Sequence, residues 1–278
     1  MELSDDRLAL RAASEPGAGL CTIVGLEGSF SRRIGAQLAV LPDGGVVGSL
    51  ADGCLERQLA AEMVAASKPV LRRFGAGSPH IDFRLPCGSG LDILIDPAPD
   101  QDGRCRAVLA ALDRRQPASL NLPVAPPLLA ERRYIPPPRL LLFGEGPEML
   151  ALQGLARAGG VAVEAMGSVD GLSLGKAPAG MAVDAWTAIV LLFHDHEWEQ
   201  AILDWALGTP AFFIGAQGGM ETRAGRLERL AAAGHARNQL ARIHSPVGLI
   251  PRSREPGILA LSILAQIMAE YEGLHPHG

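Results

Sequence analysis

The chain has 278 residues, 48% of them hydrophobic and 20% charged, enough for one large or two ordinary globular domains and unlike a disordered chain. A net charge of −5 argues against a nucleic-acid partner held by electrostatics. No apolar run approaches the roughly 18 residues of a membrane span, so no membrane partner is expected.

The chain carries 33 Gly and 21 Pro against 4% aromatics, which implies many tight turns and close backbone approaches. Met1 to Arg11 is charged and has no apolar signal core, so a cytoplasmic location is expected. The cysteines are Cys21, Cys54, Cys87 and Cys105, with no C-x-x-C pair. That spacing speaks against structural zinc, and reduced thiols are expected.

In chain order, a short helix is expected over Asp5 to Ala13 and a strand over Cys21 to Leu26. Gln37 to Leu41 and Val46 to Ser49 flank Pro42-Asp43-Gly44-Gly45, a hairpin turn. A helix from near Asp52 to Ala66 puts Leu55, Leu59 and Met63 on one face. Strands at Pro69 to Phe74 and Leu91 to Ile95 and a helix over Gly103 to Arg115 complete a mixed α+β domain, residues 1–116. Seven prolines over 117–138 read as an extended linker.

Residues 139–278 alternate differently. Apolar strands at Arg139 to Phe143, Val161 to Ala165, Ala188 to Phe193 and Ala211 to Ile214 are interleaved with helices to about Ala158, over His194 to Ala206 and over Glu221 to Ala233. A last apolar helix spans about Ile258 to Glu270. This pattern predicts a Rossmann-like, doubly wound parallel sheet, so the whole chain is α/β.

Several loops carry candidate chemistry. Gly144-x-Gly146 lies between a strand and a helix, the context of a dinucleotide fingerprint. Its third position is Met149, Pro147 removes one N–H, and Met166-Gly167-Ser168 offers no acid for a ribose, so NAD(P) is not expected. Gly215 to Gly219, followed by Arg223 and Arg226, suits an anion or is a plain turn with solvated arginines. His194-Asp195-His196 follows a strand and offers either a metal pair or a helix cap by Asp195. The loop Gly28 to Ala36, with Arg32, Arg33 and Gly35, suits an oxyanion. Cys54 with Glu56, and Cys87, place two thiols in Gly-rich loops. Each is either a small buried filler or a functional thiol.

In this order the segments resemble the xanthine dehydrogenase accessory protein family (XdhC/CoxI-like). The resemblance rests on Gly35-Ala36, Asp43-Gly44, Gly53-Cys54-Leu55-Glu56, Cys87-Gly88, Gly144-Glu145-Gly146, His194-Asp195-His196, Phe213 to Ala216, Arg223 to Leu230, Pro246 to Leu249 and Leu261 to Ala265. The chain departs from the family pattern at Asp52, Leu55, Pro147, Gly219, Gly257 and Gln266. The resemblance implies a chaperone, usually a homodimer, that binds the molybdenum cofactor (molybdopterin, or a dinucleotide form). It implies sulfuration of that cofactor through a cysteine desulfurase, and insertion into xanthine dehydrogenase or another molybdenum hydroxylase. On this reading Arg32, Arg33, Gly35, Glu56, Gly144, Gly146, His194, Gly215 and Arg223 contact the cofactor. Cys54 and Cys87 face its metal as soft ligands. The competing readings are an NAD(P)-dependent oxidoreductase working at the Gly144 loop and a regulatory module whose Rossmann half only dimerises.

Overall fold

The computed structural model describes residues 5–51, 53–78 and 88–277. They form two compact units: one up to Pro136 together with 275–277, the other Pro137–Leu274.

The first unit is built on a five-stranded antiparallel sheet. Its elements are α1 (Asp5–Ala13), β1 (Gly19–Glu27), β2 (Gln37–Val40), β3 (Val46–Gly48), α2 (Cys54–Ala65), β4 (Val70–Gly75), β5 (Gly90–Asp96), α3 (Arg104–Asp113), β6 (Ala118–Asn121) and β7 (Glu131–Tyr134). The sheet order is β3-β2-β1-β5-β4. Strand period two divides the core. Leu20, Val24 and Leu94 pack with α1 and α3, while Cys21, Ile23, Ile93 and Ile95 pack with Leu55, Leu59 and Met63 of α2. The β2–β3 turn forms where expected, with Val40 paired to Val46 and the Asp43 carboxylate accepting the Gly45 N–H at 2.9 Å.

The proline-rich stretch differs from the expected extended linker. β6 and β7 pair antiparallel within it, and Leu120, Leu122 and Tyr134 join the core with α1 and α3. Proline is excluded from central strands but not from the ends of a two-stranded ribbon. Here the prolines lie outside Ala118–Asn121 and Glu131–Tyr134.

The second unit is a parallel sheet with helices on both faces, as the alternating pattern predicts. It comprises β8 (Arg139–Gly144), α4 (Pro147–Ala158), β9 (Ala162–Met166), β10 (Thr187–Leu192), α5 (Glu199–Leu207), β11 (Phe213–Ala216), α6 (Met220–Ala232), α7 (Arg237–Leu240), β12 (Ile243–His244) and α8 (Pro256–Gly273). The order is β12-β11-β10-β8-β9. Leu141, Phe143, Ile189 and Leu191 face α5 and α6. Leu140, Leu142, Ala188 and Val190 face α4 and α8. The chain leaves β8 toward β9 on one side and later adds β10 to β12 on the other. The switch point, where open α/β sheets bind ligands, therefore lies between β8 and β10. Among the described residues no helix is long and apolar enough to cross a membrane.

Candidate functional site

Cys54 opens α2. Gly53 before it has φ +97 and ψ −22, a left-handed conformation that a Cβ would strain. Glu56, one turn in, holds that conformation. One carboxylate oxygen accepts the Leu50 and Ala51 N–H groups at 2.9 and 2.6 Å, and the other accepts the Gly53 N–H at 2.7 Å. Burial pushes the Glu56 carboxyl up, but the N–H groups of Ala51, Leu50 and Gly53 outweigh it, and the group is held below its ordinary range. Glu56, expected at the cofactor, is committed to shaping the cysteine loop.

Of the described cysteines, Cys21 and Cys105 are buried and Cys54 is exposed. The Cys54 Sγ accepts a hydrogen bond from Arg57 Nη2 at 3.2 Å. Arg57 also lines an open groove of about 770 Å³, together with Gly44 and Gly45 of the hairpin turn, Gly48, Ser49 and Glu56. Sequence reasoning passed over Arg57. The available signal was its i, i+3 spacing from a cysteine on a helix. Cys87 and Asp52 lie outside the described residues. Among the described residues no three His, Cys, Asp or Glu side chains are grouped to hold a metal ion.

Arg32 and Arg33 are half-buried. Gly35 has φ +88, and a Cβ there would lie 2.8 Å from Cδ and Nε of Arg132. Arg132 is fully buried. It donates to the Gly35 carbonyl at 2.7 Å, pairs with Asp6 at 2.7 Å and covers the Tyr134 ring at 4.6 Å. Gly35, expected to touch the cofactor, makes room for this arginine.

In the second unit Gly144 and Gly146 begin the switch-point loop. A Cβ on Gly144 would lie 2.5 Å from the Leu192 carbonyl oxygen, so the glycine permits the close approach of β8 and β10. His194, in the loop after β10, is exposed, and its Nε2 lies 3.5 Å from Glu148 Oε2. The structure thus brings Gly144, Gly146 and His194 to one edge. Two acids accompany them. Glu145 accepts the Ser168 N–H at 3.0 Å and also the Ser168 hydroxyl. These bonds hold its carboxyl below the ordinary range. Glu148 folds back over Gly146, its Oε2 3.4 Å from where a Cβ would stand.

The helix expected over His194 to Ala206 starts later. Asp195 accepts the Glu197 N–H at 3.0 Å and caps a short 3-10 turn ahead of α5, as the cap reading expects. The Gly215 expectation also changes. The residue is buried inside β11, where a Cβ would meet Val247 at 2.6 Å, because the strand runs two residues past the expected Ile214. Arg223 is half-buried on α6. The arginine that organises this edge is Arg226, 1% exposed. It pairs with buried Glu199 at 2.8 Å, donates to Ser245 Oγ at 2.6 Å and to the Gln217 carbonyl at 2.6 Å, and so ties together the chain around three loops. No sequence spacing links Glu199, Arg226 and Ser245.

Known proteins place this geometry. The model of the XdhC Rossmann domain matches residues 140–267, and that of the XdhC and CoxI family matches residues 10–75. The molybdenum cofactor insertion chaperone PaoD of Escherichia coli (strain K12) is 33% identical over 289 residues, covering 95% of this chain and 89% of that protein. A crystal structure described as a xanthine dehydrogenase from Bacillus halodurans shares the fold, with TM-score 0.73 and 20% identity over 98% of this chain and 97% of that one. The chain belongs to the XdhC and CoxI family.

Proposed function

We propose that this chain binds the molybdenum cofactor and delivers it to a molybdenum hydroxylase. The observation that carries the reading is Cys54, an exposed thiol at a helix start, bonded to Arg57 beside a glycine-lined groove. The likeness to PaoD, named as a molybdenum cofactor insertion chaperone, supports it.

The donor set fits such a cofactor. A thiolate is a soft ligand suited to a metal–dithiolene end, and guanidinium groups bind phosphate bidentately. When bound, the cofactor brings a metal that takes sulfur ligands. Cys54 would hold that end, with Cys87 as a second thiol. Arg57 orients Cys54 Sγ, Glu56 fixes the loop that presents it, and Arg32 and Arg33 would receive the phosphate.

In this reading the chain works as a homodimer in the cytoplasm. A cysteine desulfurase supplies sulfur to the bound cofactor, whether in its simple or its dinucleotide form. Xanthine dehydrogenase or a related hydroxylase is the client, and the chain is a carrier without turnover of its own.

The test is to purify the protein from a host that makes molybdopterin, oxidise it, and measure pterin fluorescence. Pterin in near-stoichiometric amount is expected, with a loss of most of it in Cys54→Ala. A wild-type protein that neither copurifies with nor rebinds pterin would sink the reading.

A further inference from the structure

Two motifs of the second unit have no part in the cofactor reading: Pro246 to Leu249 and Leu261 to Ala265. They lie side by side. The Ser262 hydroxyl of α8 accepts the Ile250 N–H at 2.7 Å, and Gln266, one turn on, accepts the Gly248 N–H at 2.7 Å. From the other side Arg226 donates to Ser245 Oγ at 2.6 Å. The loop is thus fixed against α8, yet Leu249 and Ile250 stand out from it. Ile258 and Leu261 stand out from the helix turn that Ser262 closes. All four are 47–57% exposed. Apolar groups already held in place lose little freedom when a partner covers them.

From Pro256 to Ala269, α8 has no charged residue. Ala260, Ile263, Ile267 and Tyr271 are its buried side. On the opposite side Ile258, Leu261, Ala265 and Ala269 recur at three- and four-residue spacing, and all are exposed. A helix that is apolar on both faces is ordinarily covered on both. Across the sheet α6 shows the contrast, with Glu221, Glu228 and Arg229 exposed.

The charges at the ends of α8 also run against its dipole. The last turn carries Glu270 and Glu272 and no base, where a helix favours cations. Arg252 and Arg254 precede the first turn, where anions are favoured, and Glu255 is the one acid there. A second α8 laid antiparallel answers both features. Its basic, dipole-positive start meets the acidic last turn, and its bulky half (Ile258, Leu261) meets the small half (Ala265, Ala269). The match is in the sign of each end and needs no side chain to be without a partner.

We infer that the exposed face of α8, rimmed by Leu249 and Ile250, is the interface with a second copy of this chain, the two α8 helices packing antiparallel about a two-fold axis. In such an isologous contact Leu261 of each copy meets Ala265 of the other. That register sets Arg254 level with the acidic last turn of the other copy. The inference rests on the reading above in taking the chain as a homodimer, and it supplies the interface.

Sedimentation equilibrium of the full chain should give a dimer. Leu261→Glu puts a carboxylate into the middle of the contact and should raise the dimer Kd at least about thirtyfold. The face is exposed within one copy, so the variant should keep the far-ultraviolet circular dichroism of the parent. Arg252→Glu/Arg254→Glu makes both ends acidic and should weaken the dimer about tenfold at low salt. Adding Glu270→Arg/Glu272→Arg reverses the other end and should restore it. A wild-type monomer would overturn this interface together with the homodimer above. A dimer that none of these variants weakens would overturn the interface alone. An undisturbed dimer in which Leu261→Glu no longer hands pterin to a molybdenum hydroxylase would give the face to the client protein instead. Pterin retention is scored separately and decides only the cofactor reading.

Discussion

Arg132 is hydrogen-bonded to Gly35 and fills the space that a Cβ on Gly35 would need. The arginine's Nε donates to the Gly35 carbonyl at 2.7 Å, while its Cδ and Nε lie 2.8 Å from where a Cβ on Gly35 would stand. Arg132 cannot retreat, because it is fully buried and tied to Asp6. Gly35→Ala therefore combines a left-handed backbone at φ +88 with a clash against a fixed side chain. A loss of at least about 2 kcal/mol is expected. Urea unfolding of the variant measures it, and a loss below about 0.5 kcal/mol would show that the arginine can move.

This pair shows where sequence reasoning reaches its limit. The hydrophobic periods of β1, α2, β8 and β10 are local, and the helices and strands follow from them nearly residue for residue. Gly35 stands out in the sequence only as part of a candidate oxyanion loop, and the reason for a glycine there lies 97 residues away, in a stretch whose prolines suggest a linker. The signal there was weak: Leu120 and Leu122, then Arg132 and Tyr134, alternate with period two. The Glu199–Arg226 pair, 27 residues apart, is invisible for the same reason. Ion pairs join elements that only the completed sheet brings together.

Glu56 should make stability depend on acid. Its carboxyl is held below the ordinary range when folded. Its contribution is therefore full above the unfolded value of about 4.3 and is lost as pH falls through the folded value. Glu56→Gln keeps one carbonyl acceptor and presents an NH2 to donors, at an expected cost of about 1.5–3 kcal/mol at pH 7. Denaturant unfolding at pH 7 and at lower pH should show that difference shrinking on acidification. A difference that stays constant with pH would mean that the carboxylate charge contributes nothing.

The Arg226–Glu199 pair is 1% exposed on both sides. Removing one partner strands a buried charge, so Glu199→Leu or Arg226→Met should each cost about 3–5 kcal/mol. Glu199→Leu/Arg226→Met leaves no charge behind and should recover part of that loss. A double-mutant cycle in urea reads the coupling. Additive losses would show that the two side chains act independently.

NAD(P) should not bind at the Gly144 loop. Pro147 takes an N–H from the start of α4, Glu148 folds its carboxylate over Gly146, and Glu145 is engaged with Ser168 at the end of β9. Phosphate would meet two acids where a dinucleotide fold offers free donors. Calorimetry with NAD+ and NADPH should give a Kd weaker than about 1 mM. Glu148→Ala should weaken that repulsion and strengthen binding. Micromolar affinity in the wild-type protein would revive the oxidoreductase reading.

Native-state labelling separates the thiols. Burial pushes the Cys21 thiol far up, and burial followed by Asp100 pushes Cys105 up to about 12. Each is both inaccessible and protonated at neutral pH, and the thiolate is the nucleophile. Cys54 is exposed at the helix start. Brief iodoacetamide treatment followed by peptide mass spectrometry should modify Cys54 and leave Cys21 and Cys105 intact until denaturant is added. Holding the metal end of a ligand at Cys54 Sγ would remove that reactivity, so protein carrying pterin should be labelled more slowly at Cys54 than protein stripped of it. Equal labelling of the loaded and stripped forms would detach Cys54 from the cofactor, even if the pterin itself is retained.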